Sequence, residues 1–202
     1  MHFATDRQTL DDLNIFGKRG DGSIYSVFNH TQTRGGAVLL EQLFHEPLSR
    51  AETIRKRVGI IKWFAAAGLS FPCQPEWFDA IEQYLANTDE RTKLSHEDGT
   101  LGRRITGMIT LNTEQAIIHK GVAAVVELVH ACSHFVSTMA ADGTPYAEER
   151  VIIQGLLGEA AFAGLLQQSP RKKLAFEQVA DFDELLRFRH RGVIRRLLER
   201  IY

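Results

Sequence analysis

Residues 113–141 read TEQAIIHKGVAAVVELVHACSHFVSTMAA, and this stretch says most about the fold. If it forms a helix, apolar side chains cover nearly all of its circumference. A helix that is apolar all round lies in the middle of a domain, with neighbours on several sides. The run from Gly121 to Val136 carries Glu127 and His130, so it is too short and too polar to span a bilayer. We therefore predict a long, buried, central helix and no membrane association.

The residues that follow predict further helices. Asp142-Gly143 ends the central helix, and Thr144-Pro145 begins the next, since proline is favoured in a first helical turn. Small residues along that next helix predict a slim surface that a neighbour can approach closely; they are Gly155, Gly158, Ala161 and Gly164. Beyond Ser169-Pro170, residues 174–180 and 181–202 predict one or two more helices.

The residues before the central helix predict shorter helices. Ser23 can cap a helix from Ile24 to Asn29, and Thr33 opens a second one. Apolar residues of the second helix recur at i, i+3, i+4, i+7 and i+8, which predicts one buried face; they are Gly36, Leu39, Leu40, Leu43 and Phe44. Replacing Leu40 or Leu43 by alanine should then cost about 2–5 kcal/mol.

Proline and glycine residues indicate where the next helices begin and end. Pro47 ends the second helix, and Ser49 with Glu52 predicts a capping box for a third. Residues 68–75 contain a glycine and two prolines and break the chain before a helix over residues 76–86. Residues 87–112 are polar and turn-rich around Asp98-Gly99, and within them Arg104 to Leu111 is the only tolerable strand candidate.

These patterns predict an all-α fold, a multi-helix bundle. We divide its 202 residues into an N-terminal part (1–68), a connecting segment (69–112) and a long-helix part (113–202). With 44% apolar and 24% charged residues, the chain has enough apolar material for a core. The formal net charge of -1 argues against a stand-alone nucleic-acid binder, which usually carries a clear basic excess.

Cysteine usage and the N-terminus indicate the compartment. Cys73 and Cys132 are the only cysteines, which excludes a disulfide framework and a cysteine-rich zinc module. Residues 1–7 contain no apolar signal core. We therefore expect a cytoplasmic protein.

An ordered set of short motifs carries a resemblance over residues 3–60. It begins with Asp6 and Leu13-Asn14-Ile15, continues through the loop at 17–23 and Ser23–Phe28, and reaches Thr31-Gln32-Thr33-Arg34-Gly35-Gly36. It ends with Leu39-Leu40, Leu43-Phe44, Pro47-Leu48 and Ile54-Arg55-Lys56-Arg57. Together these resemble the opening of the core domain of the MutS family of DNA mismatch-repair proteins. The chain departs from that pattern at Val38, where the family usually has arginine, and at Leu43, where many members have tryptophan.

The resemblance implies a core/lever bundle of the MutS domain III type. Such helices are non-catalytic and couple a DNA clamp to an ATPase domain. ATP and Mg would bind in that separate domain, double-stranded DNA would be the partner of the full-length protein, and homodimers would form through the ATPase domain. The family's mismatch-reading Phe-x-Glu has no proper counterpart, since Phe44-His45-Glu46 and Phe182-Asp183-Glu184 match by letters alone.

The chain itself contains no phosphate-binding loop. That loop needs Gly-x-x-x-x-Gly-Lys-Ser/Thr after a strand, because backbone N–H groups must surround the phosphates. The glycine-rich loop at 17–23 places Lys18 too early and lacks the strand–loop–helix frame. We expect no ATPase activity from these residues and an ATPase domain after Tyr202.

One stripe of the central helix could ligate a metal. His119, Glu127, His130 and His134 lie within about 80° of one another on a helix. Glu127-x-x-His130 has the spacing of di-iron bundles, but such a site needs a second Glu-x-x-His, which the sequence lacks. A helical-bundle metalloenzyme and a plain interaction scaffold therefore remain alternatives, and we expect no metal.

The C-terminal segment is rich in arginine. Its candidate DNA or domain-coupling residues are Arg187, Arg189, Arg191, Arg195, Arg196 and Arg200. Apolar residues form another side and are expected to need a cover from outside the chain; they are Leu186, Val193, Leu197 and Ile201. A solvated basic face of an amphipathic helix is the simpler interpretation of the same arginines.

Overall fold

The computed structural model describes residues 6–17, 22–94, 108–139, 143–170 and 172–202, with the side chains of 108–112 left out. Within these ranges the regular structure is helical, without a strand, which confirms the predicted all-α class. The helices are α1 (Arg7–Asp12), α2 (Ile24–Phe28), α3 (Arg34–His45), α4 (Ala51–Ala67), α5 (Pro75–Ala86), α6 (Met108–Thr138), α7 (Ala147–Leu157), α8 (Ala160–Leu166), α9 (Phe176–Asp183) and α10 (Arg191–Ile201). A 3₁₀ turn covers Glu90–Thr92, and a π-helical turn covers Glu184–Arg189.

The described residues form two compact units. Unit 1 contains α1 to α4, up to Ser70, together with Gly143–Tyr146 and Tyr202. Unit 2 contains α5 to α10; it begins at Phe71 and ends at Ile201, and Gly143–Tyr146 do not belong to it. The three-part division made from the sequence stays a prediction.

Helix α6 is the centre of unit 2. It is 31 residues long, and α5, α7, α8 and α9 all pack against it. Val122, Val125, Leu128 and Val129 have no exposed surface, so the predicted buried central helix is confirmed. Helix α5 approaches α6 tightly at Gly121, where an added Cβ would overlap the Cβ of Tyr84.

The start of α6 corrects one prediction. Met108 to Leu111 are helical, so the strand suggested for Arg104 to Leu111 is wrong over those residues. Residues 104–107 and the turn at Asp98-Gly99 lie outside the described residues. The alternation of polar and apolar residues over Arg104 to Leu111 suggested a strand. Its last residues, however, begin α6, a helix that is apolar on most of its faces.

The stretch Thr113–Thr138 of α6 is long and apolar enough to cross a membrane, judged by length and composition alone. An 18-residue window within this stretch has a mean hydropathy of 1.4, and half of that window is buried within the structure. The core helix of a folded domain meets the same criteria, so this is weak evidence for a membrane span.

The slim helix predicted after Pro145 is in fact two helices. α7 ends at Leu157, Glu159 is extended, and α8 begins at Ala160. Gly158 and Glu159 close the last turn of α7 by donating to the carbonyls of Gln154 and Leu156. The expected close approach is found at Gly164, where an added Cβ would lie 3.5 Å from the Phe182 ring.

Local capping in unit 1 follows the sequence in two helices and departs from it in a third. The Ser23 hydroxyl accepts from Ser26 N at 3.1 Å, and that of Thr33 accepts from Gly36 N at 3.0 Å, so both caps are confirmed. The capping box at Ser49 is wrong, because α4 begins after Arg50 without a side-chain cap. Gly68, at φ +60°, ends α4.

The packing of unit 1 is more open than the sequence predicts. Phe16 lies 5.6 Å from Tyr25 and 6.3 Å from Phe44, measured between ring centroids, and the three half-buried rings form a cluster. No residue of α3 is buried, and Leu43 is 38% exposed. The predicted buried face of α3 is therefore only partly covered within the described residues.

Candidate coupling surface

The arginine-rich segment is built from α9, a π-helical turn and α10. In the turn, His190 N donates to the Leu185 carbonyl at 2.9 Å, which is an i to i+5 hydrogen bond. Such a wide turn shifts the helical register by part of a turn. Arg187, inside the turn, points into unit 2, whereas Arg195 and Arg196 in α10 lie on its exposed side.

Arg187 is a core residue, which corrects its predicted place on the surface. Its side chain has no exposed area, and its Nη2 donates to Asp183 Oδ2 at 2.6 Å. The same guanidinium donates to Thr92, to Oγ1 at 2.9 Å and to the carbonyl oxygen at 3.1 Å. An arginine in this position cannot contact DNA, because its side chain has no exposed area.

Asp183 is the other half of this buried pair. Its Oδ1 accepts from the Tyr84 hydroxyl at 3.0 Å, and its Oδ2 accepts from Leu94 N at 3.4 Å. Burial is the main cause that raises the pKa of Tyr84, and the neighbouring Asp183 carboxylate adds to it. We call Tyr84, Thr92, Asp183 and Arg187 the buried polar network. It joins α5 and the 3₁₀ turn to the C-terminal segment.

The remaining arginines differ in their partners. Arg189 binds Glu184, Arg196 binds Glu159 at 3.0 Å, and Arg200 binds Glu149 at 3.4 Å. Surface ion pairs of this kind contribute little to stability. The pairs of Arg196 and Arg200 connect α10 to the residue before α8 and to α7.

Arg191 and Arg195 lie one turn apart on α10. Arg191 is half-buried, and its Nη2 donates to the Leu85 carbonyl. Burial, with a smaller effect from Arg195, lowers the pKa of Arg191. Arg195 is exposed and has no ion-pair partner in the part of the chain that the structure describes. Of the six predicted residues, Arg195 is therefore the one most available to an anionic partner.

The apolar side of this segment is already covered. Leu186 and Leu197 have no exposed surface, and Val193 is 7% exposed, all within unit 2. The expectation that this side needs a cover from outside the chain is therefore wrong for these residues, while Ile201 is half-buried. Only the arginine side of α10 is available for an external contact.

Two histidines of the stripe on α6 make packing contacts. His130 Nε2 lies 3.1 Å from the Leu165 carbonyl oxygen, and the His119 ring lies 5.7 Å from that of Phe176. His134 is exposed. Among the described residues no group of three or more His, Cys, Asp or Glu side chains could hold a metal ion.

The two cysteines lie together in the core of unit 2. Their sulfur atoms are 4.0 Å apart, and both side chains are buried thiols. The contact with Cys73, together with burial, raises the pKa of Cys132. A neutral thiol is a poor nucleophile, so this pair packs as two small apolar side chains.

The sequence could not reveal the whole buried polar network. The i, i+4 spacing of Asp183 and Arg187 indicates a local pair, but it looks the same for a pair on the surface. Tyr84 and Thr92 are about 90 to 100 residues away along the chain, and no local pattern connects them to Asp183.

The arrangement defines a helical module in which the polar side chains described above fix internal packing or line an arginine face. Comparison with known families makes this specific. The model of MutS domain III matches residues 8–195, nearly the whole chain, and the chain belongs to this family of DNA mismatch-repair proteins. No curated protein and no solved structure matches it.

Proposed function

We propose that this chain is the core/lever module of a MutS-like ATPase and couples DNA clamping to nucleotide state in the full-length protein. The family match over residues 8–195 is the observation that carries the proposal. ATP and Mg would bind to an ATPase domain outside this chain, through which the protein would form homodimers, and double-stranded DNA would be its partner.

Transmission of movement needs stiff elements, and α6 supports this part of the proposal. At 1.5 Å per residue its 31 residues extend about 46 Å. Helices pack against several of its faces, so the rod is braced along its length. Packed helices of this kind shift between discrete arrangements and do not deform continuously.

The buried polar network would keep the C-terminal segment in register with α5. An ion pair without exposed area tolerates little displacement, because separating its members leaves an unpaired charge in the core. A force applied to α10 would therefore pass to α5 and α6. The surface through which it enters would be the exposed arginines Arg189, Arg195, Arg196 and Arg200, with Arg191 at its edge.

The first test uses the isolated 202-residue chain. We expect no ATP binding in calorimetry, and a dissociation constant for duplex DNA no tighter than about 10⁻⁵ M near physiological salt, which is the non-specific range. Micromolar ATP affinity would contradict the non-catalytic role. Nanomolar, salt-resistant DNA binding that is lost in Arg195→Ala would make the arginine face a DNA site in its own right.

A further inference from the structure

Helix α4 in unit 1 has apolar residues on more than one side. Trp63 and Phe64 are half-buried; the Phe64 ring centroid lies 4.8 Å from that of Trp63 and 5.0 Å from that of Tyr146. Ile54, Val58 and Ile61 are instead exposed by 42%, 41% and 61%. Phe64 borders these three residues at about 60° from Ile61, and Trp63 lies nearly opposite them.

The three exposed residues form a continuous stripe. Their spacing of i, i+4 and i+7 places them within about 60° of one another on the helix. Branched aliphatic side chains in such a row give one contiguous apolar strip, which a partner can remove from water. A stripe with helical periodicity matches the ridge of a second helix packed alongside it.

Cations flank this stripe. At 100° per residue Arg55 and Lys62 lie along one edge, and Arg57 lies along the other. None of the three has an ion-pair partner among the residues that the structure describes. The only acidic residue of α4, Glu52, lies about 150° from the centre of the stripe.

We propose that this face of α4 is a docking site for an amphipathic helix of a partner protein, with an apolar stripe bordered by aspartate or glutamate. The apolar row supplies the contact area, and the cations select an acidic rim. A second copy of α4 fits poorly, since it would bring the same cations against this rim. DNA would use the cations but would leave the aliphatic row exposed. This site is independent of the coupling role proposed above.

The test uses two synthetic helical peptides of about 18 residues, labelled with fluorescein. Both have leucine at i, i+3, i+4 and i+7 positions; one has glutamate beside the leucines, and the other has lysine. Fluorescence anisotropy with the full chain should show that the glutamate peptide binds more tightly by about tenfold or more. Equal binding of the two peptides would overturn the proposed acidic partner.

Substitutions in α4 locate the site. Val58→Asp should weaken binding of the glutamate peptide by about tenfold or more. Val151→Asp is the matched control, because Val151 is 64% exposed on α7 in unit 2, and it should leave affinity unchanged. Circular dichroism verifies that both variants keep their helix content. Unchanged affinity in a folded Val58→Asp variant would overturn the proposed site.

Charge reversal provides an independent readout that leaves the apolar row intact. The double variant Arg55→Glu with Lys62→Glu should reverse the preference in favour of the lysine peptide. Lys172→Glu with Lys173→Glu, on exposed positions of unit 2, should leave the preference as it was. Failure of the reversal would overturn the proposed rim. Sedimentation that shows a dimer dispersed by Val58→Asp would instead identify a second copy as the occupant.

Discussion

At the scale of single residues, the buried polar network distinguishes this chain from a generic helical bundle. Asp183 and Arg187 have no exposed side-chain area, and each makes hydrogen bonds beyond the ion pair. Such a pair adds little compared with well-packed apolar residues, but loss of one member leaves the other charged and unpaired in the core. The network therefore specifies one arrangement of the C-terminal segment.

Removal of one member of this pair should destabilise unit 2 strongly. We expect Asp183→Ala or Arg187→Ala to lower the free energy of unfolding by about 3–5 kcal/mol. Glu159→Ala, which breaks the exposed ion pair with Arg196, should cost less than about 1 kcal/mol. Urea titration followed by circular dichroism measures all three. Equal effects of Asp183→Ala and Glu159→Ala would show that the pair is solvated.

The raised pKa of Tyr84 has a consequence in alkaline solution. Its pKa is about 10 in an unfolded chain and is higher in the fold. The neutral Tyr84 hydroxyl therefore makes its full contribution to the free energy of unfolding below about pH 10. That contribution is lost as the pH rises from there towards the pKa of Tyr84 in the folded protein.

Tyr84→Phe tests this effect. Above about pH 10 the wild-type free energy of unfolding should fall by up to about 1.4 kcal/mol per pH unit more than that of Tyr84→Phe. Denaturant titrations at pH 8 and about pH 11 measure the difference in slope. If the free energy of unfolding falls equally with pH in both proteins, Tyr84 ionises in the folded protein as it does in the unfolded chain.

At the scale of helices, glycines determine how closely neighbours approach. Gly121 allows α5 and α6 to meet at Tyr84, whereas Gly155 on α7 is exposed and has open space where a Cβ would be. The two positions look alike in the sequence, since both are glycines within helices. Only the identity of the facing residue separates them.

Alanine at these two glycines should have opposite effects. Gly121→Ala should cost about 1–3 kcal/mol or more, because the new Cβ overlaps Tyr84. Gly155→Ala should stabilise by about 0.5–1 kcal/mol, because alanine is the better helix former. Thermal or urea unfolding measures whether each variant is less or more stable than the wild type. Destabilisation by Gly155→Ala would mean that something outside the chain occupies that space.

Leucines give a second contrast between the two units. Leu197 on α10 has no exposed surface, and Leu197→Ala should cost about 2–5 kcal/mol. Leu43 on α3 is 38% exposed, so Leu43→Ala should cost less than about 2 kcal/mol, below the value that the sequence pattern predicts. The unfolding midpoints of the two variants, each compared with the wild type, measure these costs. A full core cost at Leu43 would mean that a partner covers α3.

Much of the helical pattern follows from the sequence because it depends on local chemistry. The caps at Ser23 and Thr33, the stop at Gly68 and the largely apolar circumference of α6 all depend on residues within one turn or one helix. Whether an apolar face is buried depends instead on residues elsewhere in the chain. The periodicity of α3 specifies an apolar face, but only the presence of a neighbour decides whether that face is covered.

The arginine segment shows the same limit at the candidate site. Six arginines in 14 residues indicate a basic surface, yet a π-helical turn, which no residue pattern indicated, carries Arg187 into the core. The apolar side was expected to be open, whereas unit 2 supplies its cover. What remains from the sequence prediction is the exposed side of α10.

At the scale of the whole molecule, membership of the MutS domain III family and the braced α6 rod support one account. In the function we propose, the module would carry force between a DNA clamp and an ATPase domain, and the exposed arginines of α10 would be the contact through which it does so. Arg195, Arg196 and Arg200 are exposed and lie outside the core of unit 2. Their replacement should therefore affect coupling and leave the fold intact.

The most direct measurement compares the duplex affinity of the full-length protein with ATP and with ADP. In the triple variant Arg195→Ala, Arg196→Ala and Arg200→Ala, we expect the nucleotide-dependent change in affinity to disappear while the ATP hydrolysis rate stays within about twofold. Lys172→Ala with Lys173→Ala should retain both properties. A triple variant that keeps the full nucleotide-dependent change would contradict the account.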